Sequence, residues 1–344
     1  MDAWYRKAGY LYAATAEPQL VARDHMVRLA QEVGAENELR PLDVDEVRER
    51  CDSPVFIGGS FMRDGASIQP ARLARGLRRV LLERGVTIHE GTQVSRLIPG
   101  SQAAAVTRRG IVRAPHAVIA INAWATEWPE LRRRLVAWSS YMVLTAPAPE
   151  RIEAIHWTAG ELVSDLRTSV RYFRTTPDGR IAFGGGGGRA ATSTGDMFTR
   201  DAHAVVQAAE GFRRLFPSFA GVPIVDAWGG PIDVSATHLP VFGSLQPNVH
   251  YALGYTGNGV APSHLAGRVL ADLVTGADSD EVRLPMVNAH ARDFPPQPWR
   301  ALGAAAVRRA IIAKDTAEEQ GRKPNPLATA IARLPRRLGY LLGP

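Results

Sequence analysis

The chain has 344 residues, 45% of them hydrophobic and 22% charged, which places it among ordinary globular chains and excludes fibrous and wholly disordered classes. Its formal charge is +7, but the segment from Ala301 to Pro344 holds eight basic residues against three acidic ones, so most of the excess sits in the tail and the body carries no nucleic-acid footprint. Cys51 is the only cysteine, Met1 to Leu20 lacks the apolar run of a signal peptide, and no stretch reaches the ~18 uninterrupted apolar residues of a membrane span, so the expectation is a cytoplasmic protein with no disulfide and no transmembrane segment.

In chain order, Leu20, Val21, Met26, Val27, Leu29 and Ala30 predict a helix that stops at Gly34, and 43–50 reads as a second, short one. Pro70 opens a third, with Leu73, Leu77, Val80 and Leu81 on one face and Gly85 past its end. Val86–Glu90 then reads as a strand, followed by 94–98, 103–107 and the apolar run 117–121, which suits the middle of a parallel sheet covered on both faces. From about Leu135 the texture changes to antiparallel strands, 139–145, 170–176 and 180–184, the last two joined by Pro177-Asp-Gly179. A helix over 202–216, a strand over 225–232, a strand over 250–253 and a helix over 263–275 follow, before a proline-dotted basic tail.

The stretch Tyr251-Ala-Leu-Gly-Tyr-Thr-Gly-Asn-Gly-Val-Ala-Pro-Ser-His-Leu-Ala-Gly267 runs a strand through a glycine turn into a helix amino terminus. Backbone N–H groups and the helix dipole make such a turn favourable for an anion or an electron-rich carbonyl oxygen. Gly257-x-Gly259-x-x-Pro262 misses the third glycine of a dinucleotide fingerprint, and no second strand ending in an acid follows, so it should not hold a pyrophosphate. Taken alone, the segment also reads as a plain strand-to-helix turn.

Five segments in order, Gly85-Val-Thr-Ile-His-Glu-Gly-Thr-Gln-Val94, Ala117-Val-Ile-Ala-Ile-Asn-Ala-Trp124, Arg171-Tyr-Phe-Arg-Thr-Thr-Pro-Asp-Gly-Arg-Ile181, Trp228-Gly-Gly230 and the turn from Gly254, resemble the D-amino-acid-oxidase-like flavoprotein family. The resemblance runs from roughly Gly9 to Pro298. It implies an α/β plus antiparallel-β fold, in which an incomplete FAD-binding Rossmann-like domain (63–130 and 246–284) interleaves with an antiparallel-sheet substrate domain (1–62 and 131–245), followed by a basic, partly helical extension (285–344). It implies non-covalent FAD, touched by Val94, Ala120, Asn122, Trp124, Gly254, Tyr255, Thr256, Gly257, Asn258, Gly259 and Val260, and oxidation of an amine or amino acid by hydride transfer to the flavin. Tyr172, Arg174, Trp228 and His238 would line the substrate pocket, with no general base and no metal assigned.

Against that pattern, Gly229, Gly230 and Pro231 stand where members acting on simple amino acids place an arginine, which favours a larger amine or polyamine derivative; Arg171 and Arg174 are the alternative carboxylate anchors. The family's first strand, its Gly-x-Gly-x-x-Gly turn and the ribose-binding acid should precede residue 1. Without two or three charge-assisted hydrogen bonds at roughly 1.5–3 kcal/mol each, this chain alone is expected to hold FAD weakly. Its edge would then need a homo-oligomer or a partner chain supplying the missing segment, or the chain would be a non-catalytic binding protein. Gly184 to Gly188 lacks the Gly-Lys-Ser/Thr ending of a phosphate loop and is expected to be a flexible loop. The tail, with Arg308, Arg309, Arg333, Arg336 and Arg337, reads as a solvated extension packed on the body or as a contact for a membrane surface or acidic partner.

Overall fold

The computed structural model describes residues 2–185, 188, 190, 201–289 and 292–341, so Gly186 and Gly187 of the expected loop lie outside the described residues. An eight-stranded sheet runs in the spatial order Ile224–Ser235, Leu135–Thr145, Ile181–Gly185, Arg171–Thr175, Leu162–Asp165, Tyr10–Ala14, Gly58–Met62, Leu39–Leu42. Every pairing is antiparallel except that of Leu162–Asp165 with Tyr10–Ala14. Strict alternation of buried and half-buried residues along most of Leu135–Thr145 is the period-2 signature of a sheet with two different faces.

One face carries Leu11, Val143, Val163, Phe173, Ile181 and Phe183 against the helix Ala202–Leu215 and against Phe56, Trp157, Phe216 and Phe219. Trp157 stacks on Phe216 at 6.0 Å between ring centroids and meets Phe173 edge-on at 5.7 Å. Burying each such ring contributes about 1.5–3 kcal/mol, which commits this face to stability. Tyr12, Tyr172, Arg174, Met142 and Trp228 fall on the other face, and all are half-buried or exposed.

A three-stranded sheet pairs Val241–Gln246 antiparallel with Val249–Leu253, which pairs parallel with Ala117–Ile119. The helix Pro262–Thr275 packs Ala266, Val269 and Leu270 on Phe242 and Ala252 and ends at Gly276, whose φ of 69° is the left-handed cap only glycine adopts cheaply. The hairpin sheet Val94–Ile98, Ala103–Thr107, Gly110–Ala114 packs on the neighbouring core through Leu97 and Ala103.

Two expectations are corrected here. Among the described residues the run 117–121 is an edge strand, Ala117–Ile119, rather than the middle of a parallel sheet, and Val118 is exposed on it. Val86–Glu90 enters no sheet, because its alternating Val86 and Ile88 have no neighbouring strand to bond among the described residues. The helix Pro70–Glu83, capped by the Gln69 side chain accepting from the Arg72 N–H, buries none of its residues and leaves Leu77, Leu81 and Leu82 exposed. A bare apolar helix stripe and an open parallel edge are two surfaces that a further strand and helix would cover.

The tail forms two helices, Trp299–Glu319 and Pro326–Arg337. The first spans 21 residues, about 30 Å, enough to cross the end of six strands spaced about 4.8 Å apart. It runs past the ends of three neighbouring strands: Arg300 donates to the Leu135 carbonyl at 3.2 Å, Arg308 to the Gly188 carbonyl, and Glu319 accepts from Arg171 at 2.7 Å. At that far end Arg167 faces Asp315 at 3.5 Å and Glu319 at 3.6 Å, and Arg214 meets Glu319 at 3.0 Å, all but Arg214 nearly or fully buried.

Candidate active site

The strands Val249–Leu253 and Ala117–Ile119 run parallel in register, Val249 opposite Ala117 and Tyr251 opposite Ile119. Their carboxyl ends therefore release Gly254–Val260 and Ala120–Trp124 side by side, the position where open α/β sheets take ligands. Asn122 sits at φ 50°, its Oδ1 accepting from the Ala123 N–H at 2.6 Å, and opens the short 3-10 helix Asn122–Glu127. Val94 stands apart, exposed at the start of the hairpin sheet.

The glycine turn is held from the large sheet. The Asp233 carboxylate accepts from the N–H groups of Gly254 and Tyr255 (3.1 Å for Tyr255), and the Asp233 carbonyl accepts from Thr256 N–H at 2.9 Å. Gly254 has φ +77° and a Cβ there would stand 3.0 Å from the Ser235 Cβ, so this position requires glycine. Burial pushes the Asp233 carboxyl up to about 6, against the pull of the N–H groups it accepts from. Beyond the tether, the N–H groups of Gly259, Val260 and Ala261 donate to no acceptor among the described residues and point from the amino end of Pro262–Thr275. Free donors at a helix amino terminus, with glycines at 257 and 259 admitting close approach, suit the carbonyl-rich pyrimidine end of a flavin.

Asp233 was not singled out by the sequence reasoning. The available signal was an acid inside the apolar strand that precedes the glycine turn, since a buried carboxylate needs partners.

On the open sheet face, cross-strand register places Trp228, Met142, Gly184, Tyr172, Ser164, Tyr12 and Ser60 in one row. Trp228 and Tyr172 are thus three strands apart, roughly 14 Å, across the small Gly184. Tyr172 leans over that glycine, where a Cβ would come within 2.5 Å of its ring, and its hydroxyl bonds the Ser140 hydroxyl on the next strand but one. Arg174 lies one row on, opposite Ala182. Its guanidinium has no acceptor among the described residues, and burial lowers its pKa.

Tyr172, Arg174 and Trp228 therefore share one face, and Ile232 on that same face stands 3.7 Å from where a Gly257 Cβ would be, which brings the turn to it. His238 lies past the end of Ile224–Ser235, outside that register, at φ 59°, and burial lowers its pKa. Arg171, one of the two alternative carboxylate anchors, is corrected, because it points to the core side and is consumed by Asp165 at 3.3 Å and Glu319 at 2.7 Å.

Residues 1–273 match the family model described as FAD dependent oxidoreductase. The chain belongs to this flavoprotein family. The flavoprotein is 28% identical over 278 residues to the gamma-glutamylputrescine oxidoreductase of Escherichia coli (strain K12), covering 80% of this chain and 63% of that protein. It is 26% identical over 282 residues to the probable oxidoreductase OrdL of Haemophilus influenzae, covering 79% of this chain and 62% of that one, so it spans a little under two thirds of either relative. Glycine oxidase from Geobacillus kaustophilus shares the fold with a TM-score of 0.72 at 20% identity, covering 84% of this chain and 76% of that structure. The fold is thus the flavoenzyme arrangement of a Rossmann-like sheet beside an antiparallel one, and FAD is the family's cofactor.

Proposed function

We propose that the flavoprotein oxidises an amine that carries a carboxylate several bonds from the reacting carbon. The observation that supports this reading is Arg174, a half-buried guanidinium with no acidic partner among the described residues, on the face that meets the glycine turn. A planar fork of donors matches a carboxylate with two hydrogen bonds. No arginine stands in Ile224–Ser235, where a small amino acid would need one, so the carboxylate sits at a distance, as in the glutamyl group named for the relative.

FAD, when bound, supplies the two-electron acceptor for the hydride leaving the amine-bearing carbon, and water hydrolyses the resulting imine. The chain supplies position. Ala120, Asn122 and Trp124 line the nucleotide side with Val94 toward the adenine, Gly254 to Val260 approaches the pyrimidine end, and the N–H groups at 259–261, unbonded among the described residues, favour negative charge there. Tyr172 and Trp228 flank the substrate and narrow the face around it.

Replacing Arg174 by methionine should raise KM for a carboxylate-bearing amine by about 10–100-fold, the loss of one or two charge-assisted hydrogen bonds, with kcat little changed. An uncharged amine of the same length should be unaffected. Equal losses on both amines would remove Arg174 from the anchor role.

A second reading concerns completeness and rests on the bare stripe of Pro70–Glu83 and the open edge of Ala117–Ile119. A parallel strand with a glycine fingerprint, on the same polypeptide or on another chain, would cover both and hold the pyrophosphate.

A further inference from the structure

We propose that the carboxyl-terminal helix Pro326–Arg337 docks the flavoprotein on an anionic membrane surface. The helix hairpin Trp299–Arg337 lies beyond the residues matched by the family, 1–273, so the flavoenzyme fold itself does not call for it. Its first helix is anchored through Arg300, Arg308, Asp315 and Glu319, and the second packs against the first.

At 100° per residue, Leu327, Leu334 and Leu338 fall within about 40° of arc on the second helix. They are 68%, 46% and 48% exposed, whereas Ala328 and Ala332, about 100° and 140° round the helix from Leu327, and Ile331, at the edge of the stripe, are half-buried. The exposed stripe is therefore not used by the hairpin. Arg337 and Arg333 lie on one flank of the stripe, about 60° and 100° from Leu334, and Arg336 lies on the far side; all three are exposed with no ion pair among the described residues, and no acidic residue occurs after Glu319.

An exposed leucine stripe flanked by unneutralised arginines fits one surface in particular, a bilayer of acidic lipids. Leucines enter the acyl boundary while the guanidinium heads stay among phosphates. A second copy of the chain would bring two sets of these arginines together, which like charges oppose. Nucleic acid would engage the arginines but has no use for the leucines.

The test is co-sedimentation of the full polypeptide with phosphatidylcholine vesicles, with and without phosphatidylglycerol, at low and high salt. Binding should require the anionic lipid and weaken with salt. The triple variant Arg333→Gln, Arg336→Gln, Arg337→Gln should lower partitioning on the order of 100-fold, at about fivefold per arginine. Leu334→Ser with Leu338→Ser should lower it at least tenfold while leaving thermal melting unchanged, since both leucines are exposed. The proposal is overturned if anionic vesicles are not bound, or if the leucine pair has no effect, which would leave only diffuse attraction. It is equally overturned if a concentration-dependent dimer disappears with the leucine pair, making a second copy the occupant, or if duplex DNA binds more tightly than the vesicles.

Discussion

Replacing Glu319 by alanine should destabilise the fold by about 3–5 kcal/mol, the cost of leaving the buried Arg167 and Arg171 with only Asp315 and Asp165 as counter-charges. Glu319 closes a cluster in which its carboxylate meets Arg171 at 2.7 Å, Arg214 at 3.0 Å and Arg167 at 3.6 Å, with Thr15 adding a hydroxyl at 3.3 Å. Arg167 and Arg171 are nearly inaccessible, so water cannot replace the lost partner. A fall in Tm of roughly 4–7 °C is expected for a chain of this size, whereas Glu83→Ala, which breaks the exposed pair with Arg79, should cost less than about 1 kcal/mol. Equal, small effects of the two substitutions would contradict the assigned role of the cluster.

The cluster also sets a pH dependence. Burial works against the Glu319 carboxylate, but Arg171, Arg167 and Arg214 outweigh it and hold its pKa below the ordinary 4.5. Its stabilisation is therefore complete above 4.5 and is lost as pH falls through the lower folded-state value. Asp165 has the opposite sign, since burial pushes it up to about 6. Its charge costs stability at neutral pH, and that cost disappears as pH falls toward its ordinary 3.8.

Asp233→Ala should weaken FAD retention by about 100-fold or more, because two charge-assisted hydrogen bonds at roughly 1.5–3 kcal/mol each fix the glycine turn. The freed N–H groups of Gly254 and Tyr255 should exchange hydrogen faster, a readout independent of activity. Asp233→Asn keeps one acceptor oxygen and should fall between the two. With its carboxyl at about 6, protonation should loosen the turn and reduce flavin retention as pH falls from 7 toward 5. Folding stability moves the other way over the same range, since a raised carboxyl pKa removes a charge penalty as the proton binds. Unchanged retention in the alanine variant would show that the turn holds its shape without Asp233.

Local features of this chain were legible and distant ones were not. The strand, glycine turn and helix from Val249 to Gly276 follow from turn chemistry and a left-handed cap, both properties of neighbouring residues. The row joining Trp228 to Tyr172 depends on the strand order, in which Leu135–Thr145 and Ile181–Gly185 come between, and no local pattern encodes that order. Asp233 finds its partners 21 and 22 positions away. Glu319 looks like one more charge on a solvated helix until Arg171, 148 residues earlier, is folded against it. Val86–Glu90 failed differently, since its alternation describes a strand that has no neighbour among the described residues.

The measurement closest to the central claim is the visible spectrum of the polypeptide, alone and joined by a glycine-fingerprint strand unit, after incubation with FAD and desalting, and again after anaerobic addition of a carboxylate-bearing amine. The account predicts that flavin bands are retained when the open edge is covered and that the amine bleaches them. Flavin retained but left unbleached by such amines would contradict the assignment of the Tyr172, Arg174 and Trp228 face as an amine-oxidising site.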